Sequence, residues 1–142
     1  MKNILIYGDS NSWGYDYTRY IPELSTCQRM PETERWPGIV RSILGPEYHV
    51  IEDTLNGRTT VWDDPYSPGR NGLKGLRTAL EVNAPLDLVV LKLGCNELKV
   101  YFSLNAGMIA FGIEKLVKEC SVPYYGLPCT ESPADRAGSD TS

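Results

Sequence analysis

The chain has 142 residues, 42% of them apolar, and a net charge of −4. That is the length of one domain with enough apolar content for a core, and its acidic balance argues against a nucleic-acid or anionic-membrane surface, which calls for a basic patch. No apolar run reaches the length of a membrane span, and the run behind Lys2 is too short for a secretory signal, so a cytoplasmic location is the expectation.

Residues 4–7 form a continuous apolar run ending at Gly8, the pattern of a strand buried on both faces. Residues 15–34 show no clear period and contain Pro22 and Pro31, which predicts a long loop. In "RWPGIVRSILG" a short helix is expected, with Pro37 in its first turn and Gly45 at its end. "YHVIEDTLNG" predicts a second strand over 48–53, closed by Asn56 and Gly57. "RTTVWDDPYSPGRNG" reads as loop, and "GLKGLRTALEVNAP" as a helix stopped by Asn83 and Pro85. "LDLVVLKLG" is a third, almost uniformly apolar strand.

In "LNAGMIAFGIEKLVKE", Leu104, Met108, Ile109, Ile113, Leu116 and Val117 fall on one helical stripe, with Gly107 and Gly112 weakening the helix. Strands alternating with helices predict a parallel sheet with crossover helices, an α/β domain over residues 1–119. Residues 120–142 are rich in Pro, Ser, Thr, Gly and Asp. "VPYYGL" is a poor candidate for a fourth strand, and the rest is expected to be irregular and disordered toward its end.

In an open parallel sheet, sites form beyond the carboxyl ends of the strands. Here those ends carry Gly8-Asp9-Ser10, Asn56-Gly57 and Gly94-Cys95-Asn96-Glu97. Ser10 has the chemistry of a nucleophile. The backbone N–H groups of Ser10 and Gly57 and the amide of Asn96 can donate to an oxyanion, the donor set that acyl transfer needs. Each has a plainer reading: Ser10 as a helix cap, Gly57 as a turn glycine of positive φ, Asn96 as a turn residue. The four cysteines include no C-x-x-C pair and the chain has one histidine, so no zinc site is expected. The cysteines read as free thiols of a reducing compartment.

"GDSNSWG", "LNGRTT" and "LGCNELK" resemble the first three blocks of the SGNH, or GDSL, hydrolases, in the branch of bacterial arylesterases and acyltransferases. The Trp-Gly after GDS, the Arg-Thr-Thr and the "DDP…NG" segment extend the resemblance over roughly residues 2–118. It implies a flavodoxin-like three-layer sandwich with a short parallel sheet, and a serine esterase without metal or cofactor. By position it implies Ser10 as nucleophile, Gly57 and Asn96 as oxyanion donors, and small acyl esters of aryl, alkyl or sugar alcohols as substrates, in some members with acyl transfer. Asp9, Trp13 and Cys95 would border the substrate, although Trp13 reads equally as packing, and Cys95 reads as packing rather than as a nucleophile.

The chain departs from that pattern in three places. A serine needs a base, which the family takes from a C-terminal Asp-x-x-His block absent here. The one histidine, His49, opens the second strand, roughly 20–25 Å from Gly57 at 3.3 Å per residue, and reads as a partly buried strand-start residue. Glu97 stands where the family usually has Asp, which predicts altered support for Asn96. The ending lacks the last strand and helix, so the sheet is expected to be incomplete on that side, the chain shortened, and the bare edge covered by self-association into a homo-oligomer. Three functions stay open at this point: a serine ester hydrolase, a binding module that kept the pocket and lost the base, and a phosphate binder. The last lacks both G-x-x-x-x-G-K-[ST] and G-x-G-x-x-G.

Overall fold

The computed structural model describes residues 1–122. Its centre is strand β1 (Lys2–Gly8), where Ile4, Leu5, Ile6 and Tyr7 are all buried, as a strand covered on both faces must be. A helical turn α1 (Ser10–Trp13) follows directly. Parallel to β1 run β4 (Tyr48–Thr54) on one side and β5 (Leu88–Lys92) on the other, in the order β4-β1-β5. The register pairs Gly8 with both Thr54 and Lys92, so the three strands end level. The chain leaves β1, returns as β4 on one flank and crosses to β5 on the other. That makes the end of β1 the topological switch point, where such sheets open a crevice.

Between α1 and the next helix the structure corrects the expected loop. Residues 15–34 contain an antiparallel hairpin of β2 (Tyr15–Ile21) and β3 (Thr26–Arg29), turned through Pro22–Leu24 and Ser25. Tyr17 and Tyr20 point to solvent while Asp16 and Cys27 are buried. The hairpin therefore has no apolar face, and no period of two could be read from it.

Helix α2 (Trp36–Leu44) has Pro37 in its first turn and stops at Gly45, φ 81°. Helix α3 (Gly72–Asn83) is capped by Asn71, whose side chain accepts from the Leu73 N–H at 3.1 Å. Helix α4 (Ala106–Cys120) is capped likewise by Asn105, which accepts from Met108 at 2.9 Å. Alternation on β4 sorts the layers: Ile51 packs into the core of α3 and α4, while Glu52 faces the opposite way toward Arg35 and the α2 residue Arg41. Leu5, Tyr7, Leu76, Ala79, Leu80, Leu86, Leu116 and Cys120 form the main core.

The buried face of α4 is rotated from the expected stripe. Gly112, Leu116 and Cys120 are buried, whereas Met108 and Val117 are exposed. Gly112 is the reason: a Cβ there would run into the Thr60 side chain, so the glycine sets the face on which α4 approaches the loop after β4. The segment 120–142, expected to be irregular, begins as the last helical residue of α4 at Cys120; the candidate strand "VPYYGL" lies almost wholly outside the described residues.

Candidate active site

Beyond the level strand ends, Gly8 leads into Asp9, which is 1% exposed. Its carboxylate accepts the Asn11 N–H at 3.0 Å and caps α1. Asp9 thus takes the capping task, and the plainer reading of Ser10 as the cap falls away. Ser10 is the first residue of the turn and is half-buried; neither its hydroxyl nor its N–H is hydrogen-bonded among the described residues. Gly8 is tied to this turn by space, since a Cβ on it would lie 2.7 Å from the Ser12 hydroxyl. That hydroxyl accepts the Trp36 indole N–H at 3.1 Å.

Gly57 sits at φ 79°, a conformation that side chains rarely adopt, in a turn closed by the Arg58 N–H on the Leu55 carbonyl at 3.2 Å. Its own N–H has no partner among the described residues. Asn96 opens the short turn Asn96–Leu98 and donates from Nδ2 to the Arg58 carbonyl at 3.0 Å. A primary amide carries two N–H bonds, so this contact orients the group and leaves the second hydrogen free. Ser10, Gly57 and Asn96 thus lie on the three loops that follow the level strand ends.

Around them is a set of cross-links absent from the sequence reading. The Arg58 guanidinium donates to the Gly8 carbonyl at 3.2 Å, the Asp53 carbonyl at 2.7 Å and the Asp53 carboxylate at 2.8 Å. It lies 3.9 Å from the Tyr7 ring centroid. Tyr7 in turn donates to the Gly72 carbonyl at 2.6 Å, and burial pushes its phenol up to about 12. Glu97, 1% exposed, accepts the Thr60 N–H at 2.6 Å through one oxygen; its other oxygen is buried and unpaired among the described residues, as is the Thr60 hydroxyl. Burial raises the Glu97 carboxyl above its ordinary range, and the charge of Asp9 adds to the rise. Asp64, from the "DDP" segment, accepts from the Tyr101 hydroxyl at 2.7 Å and ties the loop after β4 to the turn after Asn96. The one sequence signal for this scaffold was the arginine directly behind the strand-end glycine.

Other candidates fall as follows. Cys95 is exposed beside Asn96. Trp13 is half-buried under Arg29, whose guanidinium carbon lies 4.9 Å from the ring centroid and whose Nε donates to the Trp13 carbonyl at 2.7 Å, so packing is part of its role. His49 is exposed rather than partly buried. It pairs with Asn3, five residues before Gly8, which puts it about 16 Å down the sheet from the strand ends. Arg35 makes a bidentate pair with the half-buried Glu52 at 2.7 and 3.0 Å, and this holds the Glu52 carboxyl below its ordinary range. No cluster of three or more His, Cys, Asp or Glu among the described residues is placed to hold a metal ion.

No family model and no curated protein matches the chain. Solved structures do. A carbohydrate acetylesterase from Sinorhizobium meliloti is 39% identical, with a TM-score of 0.79 over 86% of this chain and 55% of its own. A second carbohydrate acetylesterase family member from that organism is 44% identical, TM-score 0.74, over 83% and 53%. The native M. smegmatis aryl esterase is 34% identical, TM-score 0.81, over 91% and 60%. The chain therefore spans little more than half the length of the esterases it matches.

Proposed function

We propose, on the premise that this chain belongs to the SGNH/GDSL hydrolases, that it carries the nucleophile and oxyanion half of a serine ester hydrolase. Ser10 Oγ attacks the acyl carbon, its proton passes to a base, and the carbonyl electron pair moves onto oxygen. The N–H groups of Ser10 and Gly57 and the second amide hydrogen of Asn96 receive that oxyanion. Collapse expels the alcohol, which takes up a proton, and leaves an acyl-serine. Water then releases the acid, or a second alcohol takes the acyl group. Small acyl esters of aryl, alkyl or sugar alcohols are the substrates this reading assigns, in keeping with the aryl esterase and carbohydrate acetylesterases that the chain resembles. Asp9 holds the turn that presents Ser10, and Trp13 and Cys95 border the acyl or alcohol group.

The observation that carries the reading is the set of three donors and one hydroxyl, unpaired among the described residues, on three loops at level strand ends. One observation favours a second reading. The only histidine of these 142 residues is at the far end of the sheet, so Ser10 has no histidine base within them. A chain in that state binds esters or small carboxylates in the donor pocket without turning them over. We also assign the protein to a reducing, cytoplasmic compartment, from the free thiols of Cys27, Cys95 and Cys120, and pair its copies through the β5 edge that no described strand covers.

A fluorophosphonate serine probe read by intact mass separates the two functional readings. One adduct on the parent and none on Ser10→Ala is expected for an activated serine. No adduct on either, with ester or carboxylate binding retained, would establish the binding module instead.

A further inference from the structure

Sheet hydrogen bonds hold the three strands in register only as far as Gly8, Thr54 and Lys92. The donors lie past that limit, at Ser10, Gly57 and Asn96. Something other than the sheet must set their spacing, because misplacement by an ångström removes most of an oxyanion hole's effect. One residue touches all three strand ends or the loops that leave them.

We propose that Arg58 is the positioning residue of this site: its guanidinium locks the ends of β1 and β4 together while its carbonyl holds Asn96, which fixes the spacing of the three N–H donors. This rests on the esterase reading for what the donors do. The β1 anchor is the Gly8 carbonyl, which also accepts the Leu55 N–H at 3.1 Å. The β4 anchor is Asp53, gripped at both its carbonyl and its carboxylate. The third anchor is the Arg58 carbonyl, held against Asn96 Nδ2. Gly57 is the neighbouring residue, so its N–H moves with the clamp.

The chemistry requires arginine. Arg58 is 8% exposed and its guanidinium carbon sits 3.9 Å from the centroid of the buried Tyr7 ring, so the group has little room to swing. A planar fork satisfies a carbonyl, a second carbonyl and a carboxylate in fixed directions. A lysine ammonium supplies charge but not that geometry.

The test compares Arg58→Lys with Ile4→Val, a core change at the other end of β1 expected to cost stability without reaching the donors. Residue-resolved NMR follows the Gly57 N–H and the Asn96 side-chain amide, and the serine probe gives the labelling rate of Ser10. Arg58→Lys should shift or broaden both sets of signals and slow labelling by at least tenfold, with Ile4→Val changing neither. Unmoved Gly57 and Asn96 signals in Arg58→Lys would overturn the proposal, as would equal slowing in both variants. A parent inert to the probe sinks the esterase reading instead, and the NMR comparison then decides the clamp alone.

Discussion

Glu97 carries a buried carboxyl group with one oxygen bound to the Thr60 N–H and the other without a partner among the described residues. Burial raises its pKa, and the neighbouring Asp9 charge reinforces the effect. The folded chain keeps this proton at pH values where the unfolded chain has lost it, so the contribution of Glu97 is fully present below the ordinary glutamate range. It is lost as pH rises through the elevated value. Glu97→Gln keeps the shape and a carbonyl oxygen for Thr60 while removing the charge. At pH 7 it should stabilise the fold by about 1 kcal/mol, or roughly 3 °C in Tm. The gap to the parent should close as the pH is lowered below the carboxylate range. Thermal melts at pH 4 and pH 7 check this, and a destabilised variant at pH 7 would mean that the charge itself is wanted beside Thr60. What the residue types disclosed was the placement of a serine, a turn glycine and an amide just past the strand ends. What they could not disclose was the scaffold. Arg58 to Gly8 spans 50 positions and Thr60 to Glu97 spans 37, and no local pattern encodes either pair.

At the scale of elements, helix α4 shows how a glycine that weakens a helix can decide where it sits. Alanine at Gly112 would gain roughly 1 kcal/mol of helix propensity. Its Cβ, however, would meet the Thr60 hydroxyl and lie 2.9 Å from the Thr60 Cβ. Thr60 is fully buried and its backbone N–H is held by Glu97, so it has little room to move. Gly112→Ala should therefore destabilise by about 1–3 kcal/mol, as overpacking does. Urea unfolding would show it, and a stabilised variant would mean that the Thr60 loop yields. The six main helices and parallel strands were legible because each pairs a clear period or apolar run with Pro, Gly or Asn punctuation at its end. The hairpin of β2 and β3 was not, because its tyrosines face solvent and its buried residues include an aspartate. The stripe of α4 was misread by one step because periodicity counts apolar residues, whereas packing here follows the smallest one.

The whole sheet has two unlike edges. On β4, Glu52 is bound by Arg35 and Arg41, with Arg29 at 3.8 Å, and a strand laid alongside would meet a charged border. On β5 no residue is fully buried although four of the five are apolar, and Leu88 is 50% exposed. Among the described residues no strand pairs with its outer side. Such an edge offers unpaired N–H and C=O groups beside apolar side chains, the combination that templates a second copy. The mass measured by light scattering should therefore rise with concentration. Leu88→Lys, which sets a charge on the exposed start of β5 without touching the core, should hold the chain monomeric while leaving its Tm within about 1 °C. A parent that stays monomeric at high concentration refutes the pairing. A parent that associates equally with Leu88→Lys places the contact elsewhere, with the exposed Phe111 of α4 as the next residue to change.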